Sequence, residues 1–388
     1  MAQRWKILAV LFVVRLSMAF QFQSVASLSP AMIKTYGVGF GDIGVLISLY
    51  LAPGIAFALP GGEIGRRFGD KRVVLAGLAL MTAGGLLMAF APSWGLQIAG
   101  RVVAGIGGVV LNALMSKMVT DWFAGREIAT AMAIFVNSWP AGIALCLFLL
   151  PTIAAASGIT TALLVTAAFC ALGFLLLAAL YQPPLRDDTA VRTPAAWPSQ
   201  AATRAMIVAG AIWGLFNAAL GMVFGFGTIL LVERGWSLPA AGSATSLVLW
   251  IVSLSVPFGG VLADRTGKHI EIMLVGFALF AVALVIATRT DAVIPVFVAL
   301  GLVGGLSAGP IMSLPARVLT PPVRAVGIGI HFTLFYAFAV AAPVIAGAFS
   351  SRVGTAGAAF DLGAFMLALC FPAYWIFNRL APRKAHAH

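Results

Sequence analysis

Long apolar runs separated by short polar breaks set the plan of this chain. They fall near residues 7–33, 43–65, 73–91, 95–118, 127–150 and 159–181, and then near 204–231, 241–263, 270–288, 292–316, 324–350 and 356–378. A helix crosses a ~30 Å hydrocarbon core in roughly 20 residues, and in lipid only a helix or a closed barrel satisfies its own backbone. The pattern predicts an all-α membrane protein with twelve transmembrane helices. The only long polar stretch, 182–203, holds Pro183, Pro184, Arg186, Asp187, Asp188, Arg192, Pro194 and Pro198. Proline and charge forbid a span there, so it reads as a cytoplasmic linker. The expected organisation is an N-terminal six-helix bundle (1–181), a linker (182–203) and a C-terminal six-helix bundle with a short tail (204–388).

One short basic break occurs twice. The clearer copy runs from Gly260 to His269 as Gly-Val-Leu-Ala-Asp-Arg-Thr-Gly-Lys-His; the other runs from Gly62 to Arg72. Gly62 and Gly260, Arg67 and Arg265, and Gly69 and Gly267 are each 198 residues apart, as are Arg126 and Arg324. The glycines of Gly105-Ile106-Gly107-Gly108 are echoed at Gly304-Gly305, 197 residues on. The chain is a duplicated object, two pseudo-symmetric halves on one plan. Glycine lets a helix end tightly, and Arg and Lys beside an apolar span fix that end in the cytoplasm. Gly62, Arg67, Gly69, Gly260, Asp264, Arg265, Gly267 and Lys268 are therefore expected at cytoplasmic hinges. Asp264 and Arg265 are expected to latch neighbouring helix ends in one conformation, with topological anchoring as the plainer reading. In the first copy Arg66 stands where the second has Asp264.

Composition agrees with the pattern: 61% of residues are hydrophobic, 9% are charged, and the mean hydropathy is +1.04. The net charge of +12 invites a nucleic-acid partner, but the placement of the basic residues argues against one. Lys34, Arg234, Arg289 and Arg352 fall on one side, Arg15 and Arg101 lie inside spans, and every other Lys and Arg falls on the side of the N-terminus. That asymmetry predicts an integral protein of a bacterial-type inner membrane with both termini cytoplasmic. Arg4-Trp5-Lys6 before an apolar run imitates a signal peptide, yet that run contains Arg15 and reads as an uncleaved first span. Cys146, Cys170 and Cys370 are scattered through apolar runs, so neither a disulfide framework nor a metal site is expected.

Charge inside a bilayer costs about 2.5–3.5 kcal/mol on insertion scales and marks functional sites. Arg15, Arg101 and His331 are the ionisable candidates, and no Asp or Glu sits well inside a span. Two buried arginines without acidic partners predict a small anionic substrate, because a guanidinium fork holds a carboxylate-like ion by two hydrogen bonds. Gln23 lies about 80° around the helix from Arg15 and is expected to share its face. Asn112 returns to within about 20° of Arg101, with Gly105 between them, so that face is small and polar. Arg101 has two readings of equal weight: lining the cavity, or bonding backbone carbonyls of the first helix. His331 reads as an anion ligand, a proton carrier or a neutral hydrogen-bonded residue. Asn137 and Trp139 in the fifth span, and Trp213 and Asn217 in the seventh, complete the expected substrate site.

The Gly-x-x-x-Asp-Arg-x-Gly-Lys pattern of the second copy, in a loop joining a second to a third span, resembles the signature of the major facilitator superfamily of secondary transporters, and its recurrence at a spacing of 198 residues fits that family's two six-helix halves. Arg101-x-x-x-Gly105-x-Gly107 resembles the fourth-helix motif of its proton-linked members. The stretches Arg15 to Ser24, Ala58 to Gly62, Lys117 to Phe123 and Asn137 to Gly142 are similar to its cyanate-permease and nitroimidazole-transporter branch. The resemblance implies a carrier for a small anion or small polar nitrogen compound, working by alternating access at one central site. Proton-linked efflux of small neutral or aromatic drugs is the alternative. Expected partners are the bilayer and a small molecule, with proton coupling at His331 or on the substrate, no nucleic acid and a monomeric unit. No nucleotide motif points to ATP, no cofactor is expected, and His269, His331, His386 and His388 form no catalytic or metal spacing.

Overall fold

The structure is a computed structural model, and it describes residues 3–57, 67–123, 128–183, 197–320 and 323–381. Helix α1 (Gln3–Tyr36) opens the first half. It is followed by α2 (Phe40–Leu49), α3 (Pro53–Phe57), α4 (Asp70–Ala89), α5 (Trp94–Phe123) and α6 (Ile128–Leu180). The second half holds α7 (Gln200–Glu233), α8 (Leu238–Thr266), α9 (His269–Ala287), α10 (Val293–Gly304), α11 (Ala308–Ser313), α12 (Arg324–Val353) and α13 (Gly357–Leu380). Among the described residues ten helices are long and apolar enough to cross a membrane, with Phe40–Ala56 as a shorter apolar segment.

Helix α6 supplies two crossings. Gly158 has φ 84° and ψ 165°, outside the helical region and favourable only for glycine. Arg15 donates to the carbonyls of Phe135 and Val136, while the Cys170 thiol reaches the Ser17 carbonyl. Residues 135 and 170 would lie about 50 Å apart on one straight helix. Both meet α1 within one turn, so the chain doubles back at Gly158.

Two spans are broken. Helix α2 stops before Pro53, which has no amide hydrogen to continue the ladder, and α10 gives way to α11 and a 3₁₀ turn at Leu314–Arg317. Small residues bring helices together elsewhere. A Cβ on Gly107 would lie 2.2 Å from the Gly77 carbonyl, and one on Gly84 2.5 Å from that of Gly100, which seats α4 against α5. Large apolar side chains such as Leu175, Leu254 and Phe258 stay exposed around the bundle, as a lipid-facing surface requires.

The end carrying Gln3, Tyr181 and Gln182 is termed proximal here; the opposite end, with Tyr36, Phe40 and Val353, is distal. The halves pack through α1 on α7, α2 and α3 on α12, and α6 on α8. At the distal end a Cβ on Gly44 would meet the Pro343 carbonyl at 2.2 Å, and the Gly41 amide donates to Ser351 Oγ at 3.1 Å. A Cβ on Gly242 would likewise meet the Leu147 carbonyl at 2.4 Å. Proximal contacts stay within one half: Gln3 and Trp122 bond Gln182, and Arg317 bonds Asn378. Among the described residues the halves are thus closed distally.

Candidate functional site

Arg15 lies in the middle of α1 and is held from three directions. Its Nε donates to Asn112 Oδ1 on α5 at 3.1 Å, and Nη1 to the carbonyls of Phe135 and Val136 on α6 at 3.1 and 3.0 Å. The guanidinium lies over the Phe135 ring, 4.7 Å from its centroid, and 5.8 Å from that of Trp139. Tyr336 reaches across from α12 with its hydroxyl at Asn112 and within electrostatic range of Arg15. These partners are neutral dipoles and π-faces. They orient the cation without cancelling its charge.

Arg101 is fully buried one layer away. Nε donates to the Leu46 carbonyl at 3.0 Å, Nη1 to that of Gln21 at 2.9 Å and Nη2 to that of Phe22 at 2.6 Å, with the Tyr50 ring 4.6 Å from the guanidinium. All three nitrogens are spent on carbonyls of α1 and α2, so the plainer of its two readings describes the geometry. Gly105 makes room for this arrangement, since a Cβ there would meet the Tyr50 carbonyl at 2.5 Å.

In the second half Trp213 of α7 stacks on His331 of α12, with centroids 6.4 Å apart and ring planes 23° from parallel, and touches Phe216 and Phe335. His331 is fully buried; neither of its ring nitrogens nor Trp213 Nε1 has a hydrogen-bond partner. Phe335 packs on Tyr336 at 5.2 Å, and Tyr336 lies within electrostatic range of Arg15.

Other expected site residues lie elsewhere. Gln23 turns away from Arg15 and donates Nε2 to the Phe224 carbonyl on α7 at 2.6 Å, its neighbour Phe22 stacking on Trp139 instead. Asn137 is exposed and lies about 160° around α6 from both Phe135 and Trp139, which face Arg15. Asn217 spends its amide nitrogen on the Trp213 carbonyl one turn back. The sequence reading missed Tyr50, Phe135, Phe335 and Tyr336; the one available signal was the 3–4 residue spacing from Phe135 to Trp139 and from His331 to Phe335.

The profile of the Major Facilitator Superfamily matches residues 11–232 and again 205–388. The chain belongs to that superfamily. It is 29% identical over 124 residues to the major facilitator superfamily multidrug transporter mfsC of Aspergillus fumigatus, covering 32% of this chain and 24% of that protein. The chain thus spans about a quarter of the length of the curated relatives it matches. Among solved superfamily-like structures, a bacterial homologue of the human lysosomal transporter Spinster, inward-facing and unoccupied, superposes with a TM-score of 0.79 at 15% identity over 98% of both chains. A D-xylose–proton symporter superposes with a TM-score of 0.78 at 14% identity over 95% of this chain and 97% of that one. These likenesses show the shared superfamily fold. The matched relatives are various transporters of the superfamily, and none of them singles out the cyanate-permease and nitroimidazole-transporter branch.

The superfamily's paired loop motif is built unequally in the two halves. Gly62 and Arg66 lie outside the described residues. Arg67 is exposed beside Phe68, and Gly69 takes φ 85° ahead of α4. In the second copy Gly267 caps α8 in the left-handed conformation, while Gly260 has open space around it and Lys268 is exposed. Among the described residues Asp264 is 80% exposed and lies 3.7 Å from His269, and Arg265 is exposed, so in this conformation the pair holds no neighbouring helix end. In the first half Lys117 of α5 bonds Asp70 at the start of α4 and Asp121 at 3.3 Å. Lys71 donates to the carbonyls of Ala178 and Tyr181. An acidic residue directly after Gly69, at the N-terminus of a helix, was the legible signal.

Proposed function

We propose that this transporter carries a small anion through the cytoplasmic membrane by alternating access, with Arg15 as the anion's anchor and both termini in the cytoplasm. The observation that carries the reading is the charge balance at Arg15. A cation in mid-membrane holds only neutral acceptors and π-faces, and neither Arg15 nor Arg101 forms a salt bridge among the described residues. Such a charge is best balanced by a ligand that brings its own negative charge and leaves with it. Tyr336 and Asn112 supply neutral polar groups beside it, and the joint between the halves gives the route: closed distally, the bundle admits substrate from the proximal side.

The multidrug name of the similar mfsC protein and the aromatic cluster favour a second reading, proton-linked efflux of small neutral or aromatic drugs. Tracer counterflow in proteoliposomes separates the two, using formate, cyanate, nitrate, oxalate and a nitroimidazole on wild type and Arg15→Gln. Anion exchange by wild type, lost at least tenfold in a folded Arg15→Gln, is the expected result. Exchange of the neutral compound alone, indifferent to Arg15, establishes the drug carrier instead.

A further inference from the structure

The 198-residue repeat places Trp213 of α7 where Arg15 stands in α1. Each packs on the helix that fills the same place in its own half. Arg15 lies over Phe135 of α6, and Trp213 lies over His331 of α12. The same joint thus carries a cation in one half and a neutral donor in the other. The neutral joint is polar and unsatisfied: His331 Nδ1, His331 Nε2 and Trp213 Nε1 all lack partners, and His331 is fully buried. Leaving a buried donor or acceptor unbonded costs more than the stacking of two such rings returns. Trp213 Nε1 only donates, whereas a neutral imidazole donates once and accepts once. The joint is therefore matched to a group that both accepts and donates, such as a hydroxyl. Phe335 and Tyr336 continue its π-surface, and Tyr336 lies within electrostatic range of Arg15.

We propose that the central site is bipolar and takes a planar ring carboxylate bearing a hydroxyl or similar polar group at its far end, with the carboxylate at Arg15 and the polar group at the ring nitrogens of Trp213 and His331. This rests on the anion reading above and narrows it. The repeat's two equivalent positions read the two ends of one ligand, so each half grips the substrate, and rocking of the halves changes both contacts together.

The test is competition against tracer exchange in proteoliposomes by formate, benzoate and 4-hydroxybenzoate, on wild type, Trp213→Phe, His331→Phe and His331→Gln. In wild type 4-hydroxybenzoate is expected to half-inhibit at a concentration roughly tenfold below that of benzoate, the worth of one buried hydrogen bond. Trp213→Phe and His331→Phe should erase that preference, and His331→Gln, which keeps a donor and an acceptor, should retain part of it. Equal potency of the two ring acids in wild type overturns the proposal, and that comparison stands even where a variant fails to fold. A folded Trp213→Phe that weakens both ring acids by one factor overturns it as well. Competition by formate but by neither ring acid leaves the anion carrier standing and removes this inference; no exchange of any anion removes both.

Discussion

At the scale of single residues, the two arginines show how one side chain serves two ends. Arg101 gives three nitrogens to three carbonyls on two helices, a fixed fork that an ammonium cannot copy. Arg101→Lys should therefore lose stability rather than selectivity. Hydrogen bonds from a charged donor are worth about 1.5–3 kcal/mol each, so losing two of them should lower the detergent-solubilised melting temperature by several degrees. An unchanged melting curve would mean that the fork does not hold α1 and α2 together. Arg15 gives its nitrogens to a side-chain amide and to carbonyls of α6, and its plane lies against two rings, an arrangement that leaves the positive charge uncancelled. Because its neighbours are neutral, Arg15→Gln removes the charge without orphaning a buried carboxylate, and folding should survive it.

At the scale of elements, the seam between α2 and α12 is set by missing side chains. Gly44 sits against the Pro343 carbonyl and Gly347 against that of Phe40, contacts at which a single methyl has no room. Gly44→Ala forces backbone from backbone, since a Cβ would lie 2.2 Å from an oxygen that no rotamer change can move. The expected result is an opened distal seam. It is measured as faster reaction of a Ser351→Cys reporter with a membrane-impermeant thiol reagent, against a low background because Cys146, Cys170 and Cys370 are all buried. Equal labelling rates with and without the methyl would show that the seam yields at no cost to closure.

At the scale of the whole molecule, closure is a property of two halves that meet from mid-membrane to the distal end. A Cβ built on Gly41 lies 3.7 Å from Ser351 Oγ, close enough for Gly41→Cys and Ser351→Cys to join under oxidation. Alternating access requires this contact to break in every cycle, so the cross-linked protein should lose exchange and regain it on reduction. Exchange that continues at full rate with the link formed would sink the rocking mechanism. The Lys117–Asp70 pair ties α4 to α5 inside the first half, which moves as a unit in this picture.

The sequence by itself determined the all-helical membrane architecture, the duplicated plan and the scarcity of membrane charge, because the cost of placing polar groups in lipid acts residue by residue and leaves its mark in one dimension. It carried Arg15, Arg101 and His331 for the same reason, whereas Asn112, which helical phase puts on the face of Arg101, bonds Arg15. Tertiary structure alone decided what each charge touches. Gln23 shares a helix with Arg15 yet bonds Phe224, 201 positions away, and Tyr336 comes to Arg15 from the other half. Helical phase says which residues can share a face, not which neighbour will cover it. The charges at the loop ends follow the same rule. Asp264 carries the motif but ends exposed, whereas Asp70 is covered by Lys117 from a helix that only folding brings beside it.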